Sequence, residues 1–302
     1  MEYRKLGSLN VSLVGIGCNN FGWRIDAAGT KAVVDAALDA GINFFDTADV
    51  YGAGQSEEFL GDAIKGRRDK AIIATKFGIK MGEGKEGGGA KYICEAVDAS
   101  LNRLGIDTID LYQIHRPDPN TPIEETLHAL NDAVKAGKVR EIGCSNFSAD
   151  QMRAARAVQV AKHFTSVQNE YSLMKREPEA TVLPECAKTG MAFLPYFPLA
   201  NGLLSGKYRK GKPFPESSRG KDSFGPKIFT EENLTTVEQF IGFAESRGHS
   251  LLELAFSWLA ARPEVSSVIA GAKTADQVRA NAKAASWKLT ADDLAMLGRQ
   301  FN

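Results

Sequence analysis

Residues 109–145 read IDLYQIHRPDPNTPIEETLHALNDAVKAGKVREIGCS, and this stretch contains one complete structural repeat. Ile109–His115 is a short apolar run that predicts a buried strand. In Pro122–Ala136, apolar residues recur at helical spacing at positions 123, 127, 130 and 134, which predicts an amphipathic helix. Gly137 follows where a helix end favours a left-handed residue, and Val139–Ser145 is the next apolar run. The stretch therefore predicts a strand, a helix and a second strand in succession.

The same alternation extends over the rest of the chain. The candidate strands are Leu13–Cys18, Ile42–Thr47, Ala71–Phe77, Ile109–His115, Val139–Ser145, Ser166–Tyr171, Ala192–Phe197 and Ser267–Ala272. The candidate helices are Thr30–Ala40, Ser56–Lys65, Ala90–Leu104, Pro122–Ala136, Ala149–Ala161, Pro178–Lys188, Glu231–Arg247 and Thr274–Ala285. Alternating strands and helices predict a parallel sheet, and eight units favour its closure into a (β/α)8 TIM barrel of the α/β class.

Three segments fall outside the repeat. Tyr3–Leu6 and Val11–Leu13 predict an N-terminal β-hairpin that covers the bottom of the barrel. A long loop after strand 7, about 200–230, is rich in Gly, Pro, Lys, Arg and Ser, and is interpreted as an active-site insertion. Leu251–Ala261 predicts an extra helix before the last strand. Because no inter-domain linker is evident, residues 1–302 are expected to form a single barrel domain.

Composition excludes several classes of protein. The 302 residues carry 37 Lys and Arg against 37 Asp and Glu, so the net charge is zero and no basic footprint for nucleic acid is visible. No apolar stretch reaches the length of a membrane span, and Met1–Lys5 begins no signal peptide, so a cytoplasmic location is expected. Cys18, Cys94, Cys144 and Cys186 are scattered and are expected to be buried, reduced thiols. No metal site is predicted.

Ionisable side chains end three neighbouring candidate strands. Asp46 ends the second strand, Lys76 the third and His115 the fourth, while Tyr51 lies in the loop after the second. In a barrel these positions meet at the C-terminal face, where active sites occur. Each residue alone has an ordinary explanation, as a turn cap, a solvated strand tip, a core histidine or rim packing. Their occurrence together on adjacent strand ends favours a catalytic site.

Such a quartet suits proton transfer to a carbonyl oxygen. A lysine ammonium beside Tyr51 favours the phenolate and is expected to lower the pKa of the tyrosine from about 10. Asp46 would hold Lys76 in position, and His115, as a neutral donor, would orient the carbonyl. Reduction of the carbonyl also requires a hydride donor, which implies a nicotinamide cofactor.

Four motifs carry a resemblance to a known family. Residues 41–52 read GINFFDTADVYG, 75–78 read TKFG, 111–115 read LYQIH and 143–147 read GCSNF. Together they resemble the aldo-keto reductase family, in order and over essentially the whole chain. The resemblance implies a barrel that binds NADP(H) without a Rossmann domain and reduces aldehydes or ketones. It also implies that Tyr51 is the general acid and base, assisted by Asp46, Lys76 and His115.

The resemblance further implies the cofactor contacts. Ser145, Asn146 and Gln168 resemble the residues that hydrogen-bond the nicotinamide carboxamide, and Tyr196 resembles the aromatic residue that stacks on the ring. The full implied set is Gly22, Trp23, Asp46, Ser145, Asn146, Gln168, Tyr196, Phe197, Pro198, Leu199, Asn201, Leu203, Lys207, Arg219, Gly271, Lys273, Thr274, Gln277 and Asn281. A helix N-terminus near Thr274 suits a phosphate independently of any family.

The chain departs from the family at the adenosine end. A common form of the family has Lys-Ser where this chain has Gly271-Ala272, Arg at Gln277 and Glu at Ala280. Lys273 is the candidate to replace the missing cation, and Arg279 is a weaker one. NADP(H) is therefore the expected cofactor, and NAD(H) stays open.

The substrate is expected to be a small carbonyl or alcohol, held in an aromatic pocket of Trp23, Tyr51, Phe77 and His115. Arg116 either receives a polar or anionic substrate or pairs with a nearby carboxylate. The basic residues of the 200–230 loop either contact cofactor phosphates or form a solvated face. The G-x-G-x-x-G of residues 82–87 follows its strand too late for a dinucleotide fingerprint, so a rim loop is predicted.

Three functions remain open at this point. The first is a carbonyl reductase, and the second is a cofactor-binding regulatory subunit with little turnover, as some relatives of the family are. The third is a barrel lyase that uses Lys76 as a Schiff base. A monomer or weak homo-oligomer is expected.

Overall fold

The chain begins with an antiparallel hairpin at the bottom of a parallel barrel. In the computed structural model, which describes residues 1–215 and 225–300, β1 (Tyr3–Leu6) pairs with β2 (Leu9–Ser12). Gly7 makes the turn with φ +56°, and a Cβ there would lie 2.8 Å from the Glu141 carboxyl carbon. The Ser8 N–H donates to Glu141 Oε1 at 2.9 Å, so the turn is fixed to the barrel wall. The predicted N-terminal hairpin is confirmed.

Eight parallel strands form the barrel wall. They are β3 (Val14–Gly17), β4 (Phe44–Asp46), β5 (Ile72–Phe77), β6 (Ile109–Ile114), β7 (Val139–Ser145), β8 (Ser166–Glu170), β9 (Ala192–Tyr196) and β10 (Val268–Gly271). Their order is β10-β3-β4-β5-β6-β7-β8-β9. The Phe193 N–H donates to the Glu264 carbonyl at 2.7 Å and the Ser266 N–H to the Phe193 carbonyl at 3.1 Å, which joins β9 to the chain entering β10. The predicted TIM barrel is confirmed.

Helices surround this wall. In the described part of the chain they are α1 (Ala27–Asp39), α2 (Gln55–Ile64), α3 (Ala90–Leu104), α4 (Ile123–Lys135), α5 (Ala149–Ala157), α6 (Val182–Thr189), α7 (Gly225–Ile228), α8 (Glu231–Glu245), α9 (Leu251–Ala260), α10 (Ala275–Ala284) and α11 (Ala291–Gln300). The predicted helices are present with shifted ends. The extra helix is α9, whereas α7 and α11 were not predicted. The start of α11 could have been recognised from Thr290, because threonine is a common N-cap residue. In the structure the Thr290 hydroxyl accepts from the Asp293 N–H at 3.1 Å.

The barrel interior is closed at the bottom by apolar side chains. One cluster joins the hairpin to five strands, and its members are Leu6, Leu9, Val11, Phe44, Ala74, Leu111, Ala192, Leu194 and Ile269. Each large aliphatic or aromatic side chain buried in this way contributes about 1.5–3 kcal/mol. A second, larger cluster lies between the wall and the helices. Since the bottom is filled, the C-terminal end of the barrel is the end that can hold a ligand.

Two further sequence expectations concern the burial of the cysteines and membrane-spanning helices. Cys18, Cys144 and Cys186 are buried and free, but Cys94 is exposed, because it faces away from the buried stripe of α3. Within the described residues, no helix combines the length and the apolarity needed to cross a lipid bilayer.

Candidate active site

A cavity of about 840 Å³ opens at the C-terminal ends of the strands. Asp46, Tyr51 and His115 line it, and Lys76 lies directly beneath. Residues in or just after β3, β7, β8, β9 and β10 complete the wall. The residues that end the strands are therefore brought together, as the barrel topology predicts.

A buried ion pair forms the floor of the site. Lys76 Nζ donates to Asp46 Oδ2 at 2.6 Å and to the Thr47 carbonyl at 2.9 Å, and the side-chain exposures of Lys76 and Asp46 are 0% and 4%. Asp46 Oδ1 accepts from Gln113 Nε2 at 3.1 Å and from Gln168 Nε2 at 3.0 Å. Every polar atom of the pair is thus engaged, which is what allows two charges to be buried together.

Tyr51 stands above this pair in a tight turn. The turn depends on Gly52, which has φ +57° and whose added Cβ would lie 3.1 Å from the Gly22 carbonyl oxygen. Lys76 Nζ is 5.3 Å from the centroid of the Tyr51 ring. Burial raises the pKa of Tyr51 above its usual value, and the Lys76 charge offsets this only in part. The expected lowering of this pKa is therefore not found, because desolvation outweighs the ammonium, and the hydroxyl keeps its proton at neutral pH.

His115 packs edge-on against Tyr51, with ring centroids 5.8 Å apart. Burial, and then the charges of Lys76 and Arg116, lower the pKa of His115 to about 3. The ring is therefore neutral at physiological pH, and within the described residues its buried Nδ1 has no hydrogen-bond partner. A neutral imidazole beside a protonated phenol provides two donors for one small acceptor, such as a carbonyl oxygen.

Most of the implied cofactor residues lie along the same cavity. Those that line it are Asp46, Ser145, Asn146, Gln168, Tyr196, Phe197, Pro198, Leu199, Asn201, Lys207, Gly271, Lys273, Gln277 and Asn281. Tyr196 donates its hydroxyl to Asn146 Oδ1 at 2.8 Å, and Asn146 Nδ2 donates to the His115 carbonyl at 3.0 Å. This chain of bonds links the aromatic ring at the end of β9 to the backbone of His115.

Four implied cofactor residues lie outside that lining. Gly22 packs against Gln55, and Trp23 is 66% exposed with the Arg24 guanidinium 4.2 Å from its ring centroid. Leu203 is buried in the core, and the Thr274 hydroxyl caps α10 by accepting from a backbone N–H. Arg219 lies outside the described residues.

Phe77 does not line the cavity, contrary to the sequence prediction. It is fully buried and stacks on Tyr112, with centroids 4.8 Å apart. The reason is the alternation of side chains along β5: Lys76 points into the barrel, so Phe77 must point outward to the helices. Trp23 also lies outside the lining, so Tyr51 and His115 remain as the aromatic members of the predicted pocket, with Arg116 beside them.

Several residues of the site were not predicted, and Gln113, which contacts Asp46 without lining the cavity, is the most informative. It is fully buried and bonded to Asp46. The sequence does indicate the direction of the Gln113 side chain, because Gln113 lies two residues before His115 and the two therefore point to the same side of the strand. Asn19, Asn20 and Ile79 lie in loops, where no periodicity marks them.

A second buried polar cluster lies behind Tyr51. Asp49 is 2% exposed and accepts from the Tyr92 hydroxyl at 3.3 Å. Glu57 accepts from Thr75 Oγ1 at 2.5 Å and from Arg103 Nε at 2.7 Å. Burial, and next the charge of Glu57, raise the pKa of Asp49 to about 7.

Asp49→Asn is expected to stabilise the protein at pH 8 and to leave stability unchanged near pH 4. The folded protein keeps the Asp49 proton up to about pH 7, while the unfolded chain loses it near 3.8. Between those pH values the unfolded state binds fewer protons, so stability falls as pH rises, by up to about 4 kcal/mol. Urea denaturation at pH 4 and pH 8 measures the difference.

Asp35→Asn is the matched control for this prediction. Asp35 is only partly buried, and the hydrogen bond from Lys31 lowers its pKa, so this variant should be no more stable than the wild type at pH 8. A loss of stability in Asp49→Asn at pH 8 would contradict the assignment of a costly buried carboxylate.

Known proteins are similar to this chain over nearly its whole length. Residues 13–299 match the model of the aldo/keto reductase family. An aldo-keto reductase of Bacillus subtilis, YhdN, is 37% identical over 97% of this chain and 91% of its own length. A probable voltage-gated potassium channel subunit beta of rice is 36% identical, over 94% of this chain and 91% of its own length. The L-glyceraldehyde 3-phosphate reductase of Escherichia coli K12 is 34% identical, over 94% and 87% respectively.

The barrel, the residues gathered at its C-terminal end and the match over nearly the whole chain lead to one family. The chain belongs to the aldo/keto reductases and is an oxidoreductase.

Proposed function

We propose that the protein uses NADPH to reduce an aldehyde or ketone, with Tyr51 as proton donor and Lys76, Asp46 and His115 in support. The observation that carries this proposal is the buried Lys76–Asp46 pair beneath a protonated Tyr51, next to a neutral His115, at the centre of the cavity. Nothing else in the described cavity combines a proton donor with a fixed buried cation.

Each side chain has a separate task in this mechanism. Tyr51 donates its phenolic proton to the carbonyl oxygen as negative charge develops there. The Lys76 ammonium stabilises the phenolate left behind, and Asp46 holds that ammonium in place. His115 donates a hydrogen bond that orients the carbonyl. When bound, the nicotinamide supplies the hydride to the carbonyl carbon.

The cavity fits a dinucleotide. Neutral amides and a hydroxyl, from Ser145, Asn146 and Gln168, lie near the barrel centre and suit a carboxamide. Lys207 and Lys273 lie at the edge formed by β9 and β10, where α10 also begins, and two ammonium groups beside a helix N-terminus suit phosphates.

A lyase that uses Lys76 is disfavoured. Burial alone would lower the pKa of Lys76, but the charge of Asp46 opposes this most strongly, and the pKa is raised. A Schiff base needs the neutral amine, and this ammonium keeps its proton.

The proposal is tested by steady-state oxidation of NADPH with aromatic aldehydes, short aliphatic aldehydes, sugars, ketosteroids and dicarbonyls. We expect carbonyl-dependent turnover with at least one class, and faster turnover with NADPH than with NADH. Absence of turnover with every class, despite measured NADPH binding, would contradict the proposal.

NADPH binding without carbonyl-dependent turnover would favour a regulatory subunit. The similarity to a probable potassium channel subunit beta supports this alternative. A cytoplasmic location and a monomeric or weakly oligomeric state stay predictions.

Lys273→Ala is expected to raise the Kd for NADPH at least tenfold and to change the Kd for NADH little. The reason is the loss of a charge-assisted contact to the 2′-phosphate, which contributes about 1.5–3 kcal/mol. Isothermal titration with both cofactors measures this. Arg279→Ala is the control, since Arg279 is exposed on α10 and pairs with Asp276. If Arg279→Ala changed the preference and Lys273→Ala did not, the assignment to Lys273 would be wrong.

A further inference from the structure

Arg116 has no assigned role in the proposed reaction. It follows His115 directly at the end of β6, its side chain is exposed, and it lines the same cavity. Among the residues that the structure describes, no carboxylate pairs with it. Asp118, the acidic residue nearest in sequence, instead accepts from the Gly88 N–H at 2.8 Å and from the Thr121 hydroxyl at 2.7 Å. The cation is therefore available to a ligand in the cavity.

The position of Arg116 separates it from the proposed phosphate site. In the ring of eight strands, β6 lies four strands from β10 and three from β9, so Arg116 faces Lys273 and Lys207 across the barrel mouth. A dinucleotide whose phosphates lie beside those lysines has no phosphate left for Arg116. The guanidinium is placed for the other molecule in the site, the carbonyl substrate.

The other polar groups on this side of the cavity leave the charge of Arg116 uncompensated. Lys76 is neutralised by Asp46 at 2.6 Å, Tyr51 keeps its proton and His115 is neutral. Lys80, next to Ile79 of the lining, is 3.9 Å from Glu86 and forms a loose exposed pair. The side of the cavity where the carbonyl would bind is therefore electropositive, although the chain as a whole has no net charge.

We propose that Arg116 binds an anionic group of the substrate, so that the preferred substrates are short aldehydes or ketones carrying a carboxylate or a phosphate. This inference rests on the proposed function and refines its substrate class. Arg116 and His115 are adjacent in sequence and both line the cavity, so a short substrate can present its carbonyl to His115 and its anionic group to Arg116. A guanidinium offers two parallel N–H donors to a carboxylate or phosphate, which fixes orientation as well as supplying charge.

Matched substrate pairs test the inference and distinguish the two anions. Succinic semialdehyde is compared with butanal, and glyceraldehyde 3-phosphate with glyceraldehyde, each with NADPH. We expect wild-type kcat/KM to favour at least one anionic member. Arg116→Gln should lower kcat/KM for that member about 10- to 100-fold, mostly through KM, as expected for a lost hydrogen bond to a charged group. The neutral members should change by less than about twofold.

Two further variants separate this role from general effects. Arg116→Lys should restore part of the loss, because it keeps the charge without the fork of donors. Lys138→Gln removes one positive charge where the chain enters β7, at the opposite end of the barrel, and should leave the anion preference unchanged.

The outcomes distinguish this inference from the proposed function. If the wild type reduces neutral carbonyls, and Arg116→Gln affects both members of a pair equally or neither, the inference is wrong while the proposed function stands. If the wild type reduces none of the four compounds and none of the wider panel, the proposed function itself fails.

Discussion

Tyr51→Phe is expected to lower kcat for NADPH-dependent carbonyl reduction by about 10²- to 10⁴-fold, the usual contribution of a positioned general acid. The substitution removes the hydroxyl and keeps the ring, so the edge-on packing against His115 at 5.8 Å should persist. The affinity for NADPH should stay within about twofold of the wild type, because the hydroxyl is assigned to proton transfer and not to cofactor binding. Single-turnover kinetics and fluorescence titration measure the two quantities separately.

Tyr196→Phe is the matched control, since it removes a hydroxyl from another aromatic residue of the same cavity. Its hydroxyl donates to Asn146 Oδ1 at 2.8 Å and is assigned a structural task. We expect a loss of less than about tenfold in kcat, in line with one neutral hydrogen bond. If Tyr51→Phe kept wild-type turnover, or lost no more than Tyr196→Phe, the assignment of Tyr51 as proton donor would be refuted.

The barrel could be predicted from the sequence because each unit repeats the same local signals. Val139–Ser145 has the same ends in the prediction and in the structure. Gly137 ends the preceding helix with φ +75°, and Asn146, with φ +62°, turns the chain at the end of the strand. Most of the other strands end one residue short of the predicted run, because backbone pairing stops before the apolar run does.

The meeting of Asp46, Tyr51, Lys76 and His115 could be predicted from polar residues at the ends of apolar runs, whereas two members of the predicted aromatic pocket were misplaced. Phe77 was assigned to the wall from its place in the chain, although the alternation along β5 turns it outward once Lys76 points inward. Trp23 lies in a loop, where no periodicity sets the direction of a side chain. The pKa of Tyr51 depends on how far burial outweighs one ammonium, and this balance requires the three-dimensional arrangement.

Lys76→Met is expected to have the second large effect, on both stability and activity. The substitution keeps the length of the side chain and leaves Asp46, which is 4% exposed, as a buried carboxylate without its cation. Breaking a buried pair in this way costs about 3–5 kcal/mol. Turnover should fall as strongly as in Tyr51→Phe, because no ammonium remains to stabilise the phenolate formed as the proton leaves. Urea denaturation and steady-state kinetics measure the two losses.

The double variant Asp46→Asn/Lys76→Met separates these two effects. An asparagine at position 46 can keep accepting from Gln113 and Gln168 through Oδ1, and no unpaired charge is then buried. Most of the lost stability should return, since the cost lies in the uncompensated carboxylate. Turnover should not return, because the cation itself is still missing. If stability and turnover were restored together, Lys76 would act only by balancing Asp46. If neither fell in the single variant, the buried pair would have no role in the site.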